Sequence, residues 1–149
     1  MNAKEQDIVE LLREITIDVL NNPKYENRKI QFDTGTEPII FSFDKVLMQR
    51  AFTNLLYNSL VHNDEDTEIA IFIDKKDRIY IEIRDNGRGI PKEDLEKLFE
   101  RYYRGTDTGE SHKGSGLGLN IAKQIIEVQG GTINVESTLG VGTKFIVTF

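Results

Sequence analysis

Two periodicities divide the chain. Between Lys45 and His62 apolar residues return every three or four positions (Leu47, Ala51, Leu55, with Phe52, Leu56 and Leu60 beside them), which predicts a helix lying on a core. Ile69, Ile71, Ile73 and then Ile79, Ile81, Ile83 alternate on either side of the polar stretch 74–78, as expected of a hairpin with one buried face. Leu117, Ile121, Ile125 and Val128 resume helical spacing up to Gly130 and Gly131. The alternating residues Ile133, Val135, Phe145, Val147 and Phe149 then predict a closing hairpin.

Weaker patterns fill the rest. From Glu5 to Leu20 helical spacing mixes with alternation, so the first half reads as helix and the second half stays open. Ile30 and Phe32, then Ile39, Ile40 and Phe41, flank a break at Gly35 and Pro38 and predict two strands joined by a turn. Asp44 is placed to cap the following helix, and Pro91 opens a short helix through Leu95, Leu98 and Phe99. Residues 105–113 carry no apolar side chain and are expected to form a mobile loop. The sum is an α+β fold: a two-layer α/β sandwich, its sheet mixed but mostly antiparallel, with about three helices packed on one face.

Composition narrows the function. A length of 149 residues with 38% hydrophobic content suits one domain with its own core. The formal net charge of -6 argues against broad attraction to nucleic acid or to an anionic membrane, so an anionic ligand would be held by local groups. The lack of cysteine excludes disulfides, thiolate catalysis and thiolate metal sites. The N-terminal residues do not read as a secretory signal, and no apolar run approaches the ~20 residues of a spanning helix. A soluble piece of a membrane receptor would look the same.

Three local patterns carry candidate chemistry. Asn54, Asn58 and His62 fall at i, i+4 and i+8 of the strong helix and form one polar line among core positions. That line is either an ordinary polar helix edge or a site where neutral amide oxygens meet magnesium and phosphate. Asp85-Asn86-Gly87-Arg88-Gly89 joins a strand to Ile90-Pro91 and a helix; it is either a plain connector or a place where glycines admit a flat ligand and the carboxylate accepts from an exocyclic amino group. Gly114-Ser115-Gly116-Leu117-Gly118-Leu119 fails the dinucleotide fingerprint, since Leu119 replaces its last glycine and a polar loop precedes it, and the P-loop pattern is absent. What remains is a hinge or a phosphate-binding helix N-terminus.

Taken in order, these segments resemble the catalytic domain of sensor histidine kinases. Asn54 to Asn58 is similar to the N box, Asp85 to Gly89 to the first glycine box, Phe99-Glu100-Arg101-Tyr102-Tyr103-Arg104 to the F box and Gly114 to Leu119 to the second glycine box. Gly140-Val141-Gly142-Thr143-Lys144-Phe145 is similar to the closing glycine-threonine motif. The resemblance covers Asp44 to Phe149 and implies the Bergerat sandwich shared by gyrases, mismatch-repair ATPases and heat-shock chaperones.

It also implies roles. Asn58 would bind magnesium with Asn54 beside it, and both would be catalytic together with the phosphate-contacting Arg104. Asp85 would read the adenine amino group, with Gly87 and Gly89 in its turn, His62 by the nucleotide and Thr143 supporting the adenine end. Lys113, Gly114, Ser115, Gly116, Leu117, Gly118 and Leu119 would line the phosphates, and 105–113 would be the ATP lid. The sequence departs from the family at Val61, where a lysine is usual.

The implied function is to bind ATP with Mg2+ and donate its γ-phosphoryl to a histidine on a separate dimerisation domain. The two histidines, His62 and His112, do not lie in a phosphoacceptor motif. Residues 1–22 are accordingly expected to be a helix or linker to that domain, and 23–149 the ATP-binding domain. The implied partners are the dimerisation domain of the same parent and a response regulator receiver, with no nucleic acid and no direct membrane contact. The implied location is cytoplasmic. The other candidates are a stand-alone serine kinase of the anti-sigma type, which generally lacks the F box, and a nucleotide-binding module that has lost catalysis, as Val61 would allow.

Overall fold

Asp44 starts the longest helix: its backbone is extended and its carboxylate accepts from Leu47 N, satisfying one of the free amides of the first turn. The three-and-four spacing that follows puts Met48, Ala51, Phe52, Leu55, Leu56 and Leu60 at or near zero exposure. Asp7 plays the same part for an earlier helix by accepting from Val9 N, and the same Oδ1 also accepts from Ile39 N. These helices belong to a computed structural model that describes residues 1–35, 37–100 and 118–149.

In chain order the elements are β1 (Lys4–Asp7), α1 (Ile8–Leu20), β2 (Lys29–Thr34), β3 (Ile40–Phe43), α2 (Lys45–Val61), β4 (Glu68–Lys75), β5 (Ile79–Asp85), α3 (Lys92–Leu95), α4 (Gly118–Val128), β6 (Thr132–Thr138) and β7 (Gly142–Thr148). Five strands form one sheet in the order β2-β4-β5-β7-β6, with β2 parallel to β4 and every other pair antiparallel. Both predicted hairpins are present, β4 with β5 and β6 with β7. Alternation sends Ile69, Ile71, Ile73, Ile79, Ile81, Ile83, Ile133, Phe145 and Val147 into the same core as α1, α2 and α4. The chain is therefore a two-layer α+β sandwich with its main helices on one sheet face.

Two expectations need correction. The strands over 29–34 and 40–43 are not joined to each other as a hairpin: β2 pairs parallel with β4, while β3 pairs antiparallel with β1 in a separate two-stranded sheet. The first residues read as helix are strand up to Asp7, and the helix occupies 8–20, including the half left open. Ile8, Val9, Leu11, Leu12, Ile15 and Val19 of α1 are buried in the common core, so residues 1–22 share their packing with the rest. Among the described residues no helix is long and apolar enough to cross a membrane.

The outer sheet face holds a buried charge. Glu82 is 5% exposed, accepts from Tyr80 Oη at 2.7 Å and from Arg84 Nε and Nη2 at 2.9 and 2.6 Å. Burial opposes its charge, but those bonds, with the charges of Arg84 and Lys144, outweigh burial and hold the carboxyl below its ordinary value. Tyr80 is pushed up to about 12, by burial first and then by its bond to Glu82.

Candidate functional site

The alternation that buries Ile81 and Ile83 also turns Asp85 inward at the end of β5. Across the ladder Asp85 faces Ile69 on β4 and Thr143 on β7, and Thr143 in turn faces Ser137 on β6. A line of Asp85, Thr143 and Ser137 thus closes the core at one end of the sheet. Asp85 Oδ1 accepts from Gly87 N at 2.9 Å and from Thr143 N at 3.3 Å. Both backbone hydrogen bonds to this carboxylate end on Oδ1, which fixes the orientation of the group.

Asp85 is 5% exposed. That burial pushes its carboxyl above the ordinary value and outweighs the opposing effects of Gly87 N, the Ser59 hydroxyl, Thr143 N and the Asn63 amide. Ser59 Oγ is buried and makes no hydrogen bond of its own, although it stands near enough to favour the Asp85 charge. Ser137 Oγ accepts from Ile90 N at 2.8 Å, donates to Gly142 O at 3.0 Å and lies 2.9 Å from Thr143 Oγ1. With the Ser137 proton on Gly142 O, the Thr143 hydroxyl donates to Ser137 and keeps its lone pairs for a neighbour.

Helix α2 supplies the other wall. Asn54 Nδ2 donates to Gly118 O at 3.2 Å, which ties the middle of α2 to the first residue of α4. One turn on, Asn58 is half-buried and its amide makes no hydrogen bond with any described residue. His62 caps the helix, and its carbonyl accepts from Arg88 Nε at 2.6 Å. Asn63 Nδ2 donates to Ser59 O at 2.8 Å, and Asn63 Oδ1 accepts from Arg88 N at 3.1 Å.

The glycines of this end are explained first by protein neighbours. A Cβ at Gly87 would overlap the Asn63 amide, and one at Gly89, where φ is +76°, would overlap the Thr138 carbonyl. Gly142, with φ +147°, leaves no room for a Cβ beside the Asp85 carbonyl. The turn is pinned from the other side by Gly140 N donating to Arg88 O at 2.8 Å. At Gly87 and Gly89 the close neighbours within the structure are protein atoms.

The structure brings Asp85, Thr143, Gly87 and Gly89 together at the sheet end, next to His62 through Arg88, while Asn54 reaches Gly118. Leu119 is buried in the core. Phe99 anchors to α4, its carbonyl accepting from Asn120 Nδ2 at 2.9 Å and Lys123 Nζ lying 5.6 Å from its ring centroid. Arg104, Lys113, Gly114, Ser115, Gly116 and Leu117 lie outside the described residues, as does the loop 105–113.

Sequence reasoning missed Ser59, Asn63 and Ser137. The signal for Ser137 was available, since Ile133, Val135 and Ser137 continue one alternation. Ser59 in the last turn of α2 and Asn63 just beyond its cap carried no comparable mark. Chemically, the assembly offers a buried carboxylate oxygen and a hydroxyl acceptor for an amino-bearing ring, with an unengaged amide on the adjacent helix for a cation or phosphate.

Residues 43–149 match the family model described as histidine kinase-, DNA gyrase B-, and HSP90-like ATPase. The chain is 37% identical over 150 residues to sensor histidine kinase YvrG of Bacillus subtilis (strain 168), which takes in 100% of this chain and 26% of that protein. It is 35% identical over 153 residues to sensor protein RprX of Bacteroides fragilis (strain YCH46), with 99% of this chain and 29% of that protein covered. The chain thus spans roughly a quarter of the length of these relatives. Among solved structures, it is similar to the nucleotide-free catalytic domain of histidine kinase ThkA, with a TM-score of 0.84 at 28% identity over 100% of this chain and 97% of the other. A mycobacterial sensor histidine kinase, MprB, shares the fold with a TM-score of 0.86 at 24% identity over 98% of this chain and 97% of that one.

Proposed function

We infer from a chain that belongs to the histidine kinase-, DNA gyrase B- and HSP90-like ATPase family that it binds ATP with magnesium and presents the γ-phosphoryl to a histidine on a separate dimerisation domain of its parent protein. One observation supports this reading most directly: a buried carboxylate whose Oδ1 is fixed by two backbone amides, so that its second oxygen has a set direction in which to accept from a ligand. Such an oxygen fits the exocyclic amino group of adenine and disfavours the carbonyl that guanine presents there.

The residues also fit a magnesium-phosphate group, because Asn58 carries a half-buried amide oxygen, a hard neutral donor that no described residue engages. Magnesium, when bound, would neutralise charge on the transferring phosphoryl. Asn54 holds the start of α4 through Gly118 O, and so would set the helix end at which backbone amides meet phosphate. Arg104, Lys113 and the glycines 114, 116 and 118 complete the phosphate side in this reading, with Thr143 and His62 at the base. Since phosphoryl transfer depends on alignment and charge stabilisation, the domain would act by holding ATP in place for a partner.

In the parent protein, residues 1–22 would carry the join to the dimerisation domain, and a response regulator would receive the phosphoryl in turn. Its dependence on ATP would place the domain on the cytoplasmic side. The test separates binding from transfer. The isolated chain, incubated with radiolabelled ATP and magnesium, is expected to bind nucleotide without labelling itself. The dimerisation domain of the same parent is expected to become labelled on histidine, with the acid-labile, alkali-stable character of a phosphoramidate, and Arg104→Ala to depress transfer more than binding. Phosphorylation of an added serine substrate would instead favour an anti-sigma-type kinase, and tight ATP binding with no transfer to the domain a degenerate module.

A further inference from the structure

We propose that Asn63 is a positioning residue that fixes the base-reading geometry of Asp85 and thereby the preference for adenine over guanine nucleotides; the proposal rests on the nucleotide-binding function inferred above. Asp85 and Asn58 belong to different elements, a strand end and a helix, so a bound nucleotide would require some device to hold their relative placement. Asn63 stands at the junction. It follows the α2 cap His62, and its Nδ2 donates back to Ser59 O at 2.8 Å, which satisfies one of the free carbonyls of the last helical turn. Its Oδ1 accepts from Arg88 N at 3.1 Å, inside the turn that follows Asp85. One amide thereby ties the end of α2 to the connection leaving β5.

Gly87 makes that tie tight. A Cβ there would overlap Asn63 Oδ1 and Cγ and come within 2.7 Å of Nδ2. Among the described residues, the glycines with a left-handed φ are Gly89, Gly130, Gly140 and Gly142, and Gly87 is not one of them. Its backbone would therefore accept a side chain, and the Asn63 amide is what forbids one. Because both ends of that amide are hydrogen-bonded, it cannot turn aside freely. Gly87 N is also one of the two donors that orient Asp85 Oδ1. The contacts run without a gap from the α2 terminus through Asn63 and Gly87 to the carboxylate, and the Asn63 amide itself favours the charged form of Asp85.

The experiment is a double-variant cycle read as the ratio of ATP to GTP affinity by calorimetry, with magnesium present, for the wild type, Asn63→Ala, Gly87→Ala and the double variant. Each single change is expected to weaken ATP about tenfold and to lower the ratio, the usual scale for losing a group that orients a ligand-binding side chain. The double variant is expected to be no worse than Asn63→Ala, because the alanine at 63 leaves room for the new Cβ. Should Asn63→Ala fail to fold, Gly87→Ala evicts the same amide with residue 63 unchanged and carries the test. A general loss of stability would lower the melting temperature without changing the base preference. A wild type that does not bind ATP removes the proposed function itself. A wild type that prefers ATP, with both single variants within twofold of its ratio, or with additive losses in the double variant, overturns the role of Asn63 alone.

Discussion

Replacing Asp85 with asparagine should make the protein more stable and a poorer ATP binder at once. Oδ1 is held by Gly87 N and Thr143 N, so the asparagine keeps its carbonyl oxygen in that place and directs its NH2 where Oδ2 was. Turning the amide over would set two donors against those backbone amides. The NH2 then meets the adenine amino group, donor against donor, and a buried polar group without a partner costs about 1–3 kcal/mol. This is about 5- to 150-fold in affinity, and the fixed Oδ1 favours the upper part of that range. GTP, which offers a carbonyl there, should gain affinity in the same variant.

Stability moves in the opposite direction. Burial holds the Asp85 carboxyl above its ordinary 3.8, so the folded chain binds this proton more tightly than the unfolded one. Stability therefore falls as pH rises from the unfolded value toward the raised folded one. Asp85→Asn removes that loss. Calorimetric titration with ATP and GTP, and melting curves from pH 7 down toward 3.8, check both halves. The variant should melt higher at pH 7, by a margin that shrinks in acid. Unchanged ATP affinity, or a lower melting temperature at pH 7, would refute the reasoning.

Asn58→Ala should weaken ATP binding in magnesium, with a smaller effect in EDTA, while its melting temperature stays within about 2 °C of wild type, because the amide has no partner among the described residues to lose. In an ultraviolet titration one tyrosine, Tyr80, should ionise late, near pH 12, and Glu82→Gln should bring it down by removing the charge to which its hydroxyl is bonded. Gly142→Ala should cost about 2–4 kcal/mol, seen as a drop of roughly 10 °C in melting temperature, because a Cβ would strike the Asp85 carbonyl at a φ that other residues avoid.

What the sequence made legible follows from how often a pattern repeats. Helix α2 and the β4–β5 and β6–β7 hairpins rest on periods sustained over seven or more residues, with turns close by in the chain. The pairing of β1 with β3 and the parallel pairing of β2 with β4 left no such trace, because four- and six-residue strands meet partners 33 to 39 positions away. Asp85 and Thr143 were legible as motif residues. Their mutual placement came from register, which aligns Ile81, Ile83 and Asp85 with Val147, Phe145 and Thr143. Asn63 and Ser59 escaped notice because small polar residues at a helix end look alike until burial and a contact at Gly87 set them apart.

The position of β7 bears on how the molecule is made. It follows β6 in the chain yet lies between β5 and β6, so β5 has an open edge until β7 arrives. Through synthesis, the ribosome releases β2, β4 and β5 well before Thr143, whose amide reaches Asp85 across 58 positions. A nascent chain would thus carry a three-stranded sheet whose edge shows Ile81 and Ile83 on one side, the kind of edge that recruits other chains. Closure of that edge and completion of the Asp85 pocket are a single late event, so on the function proposed above nucleotide retention would report whether the last strand has docked.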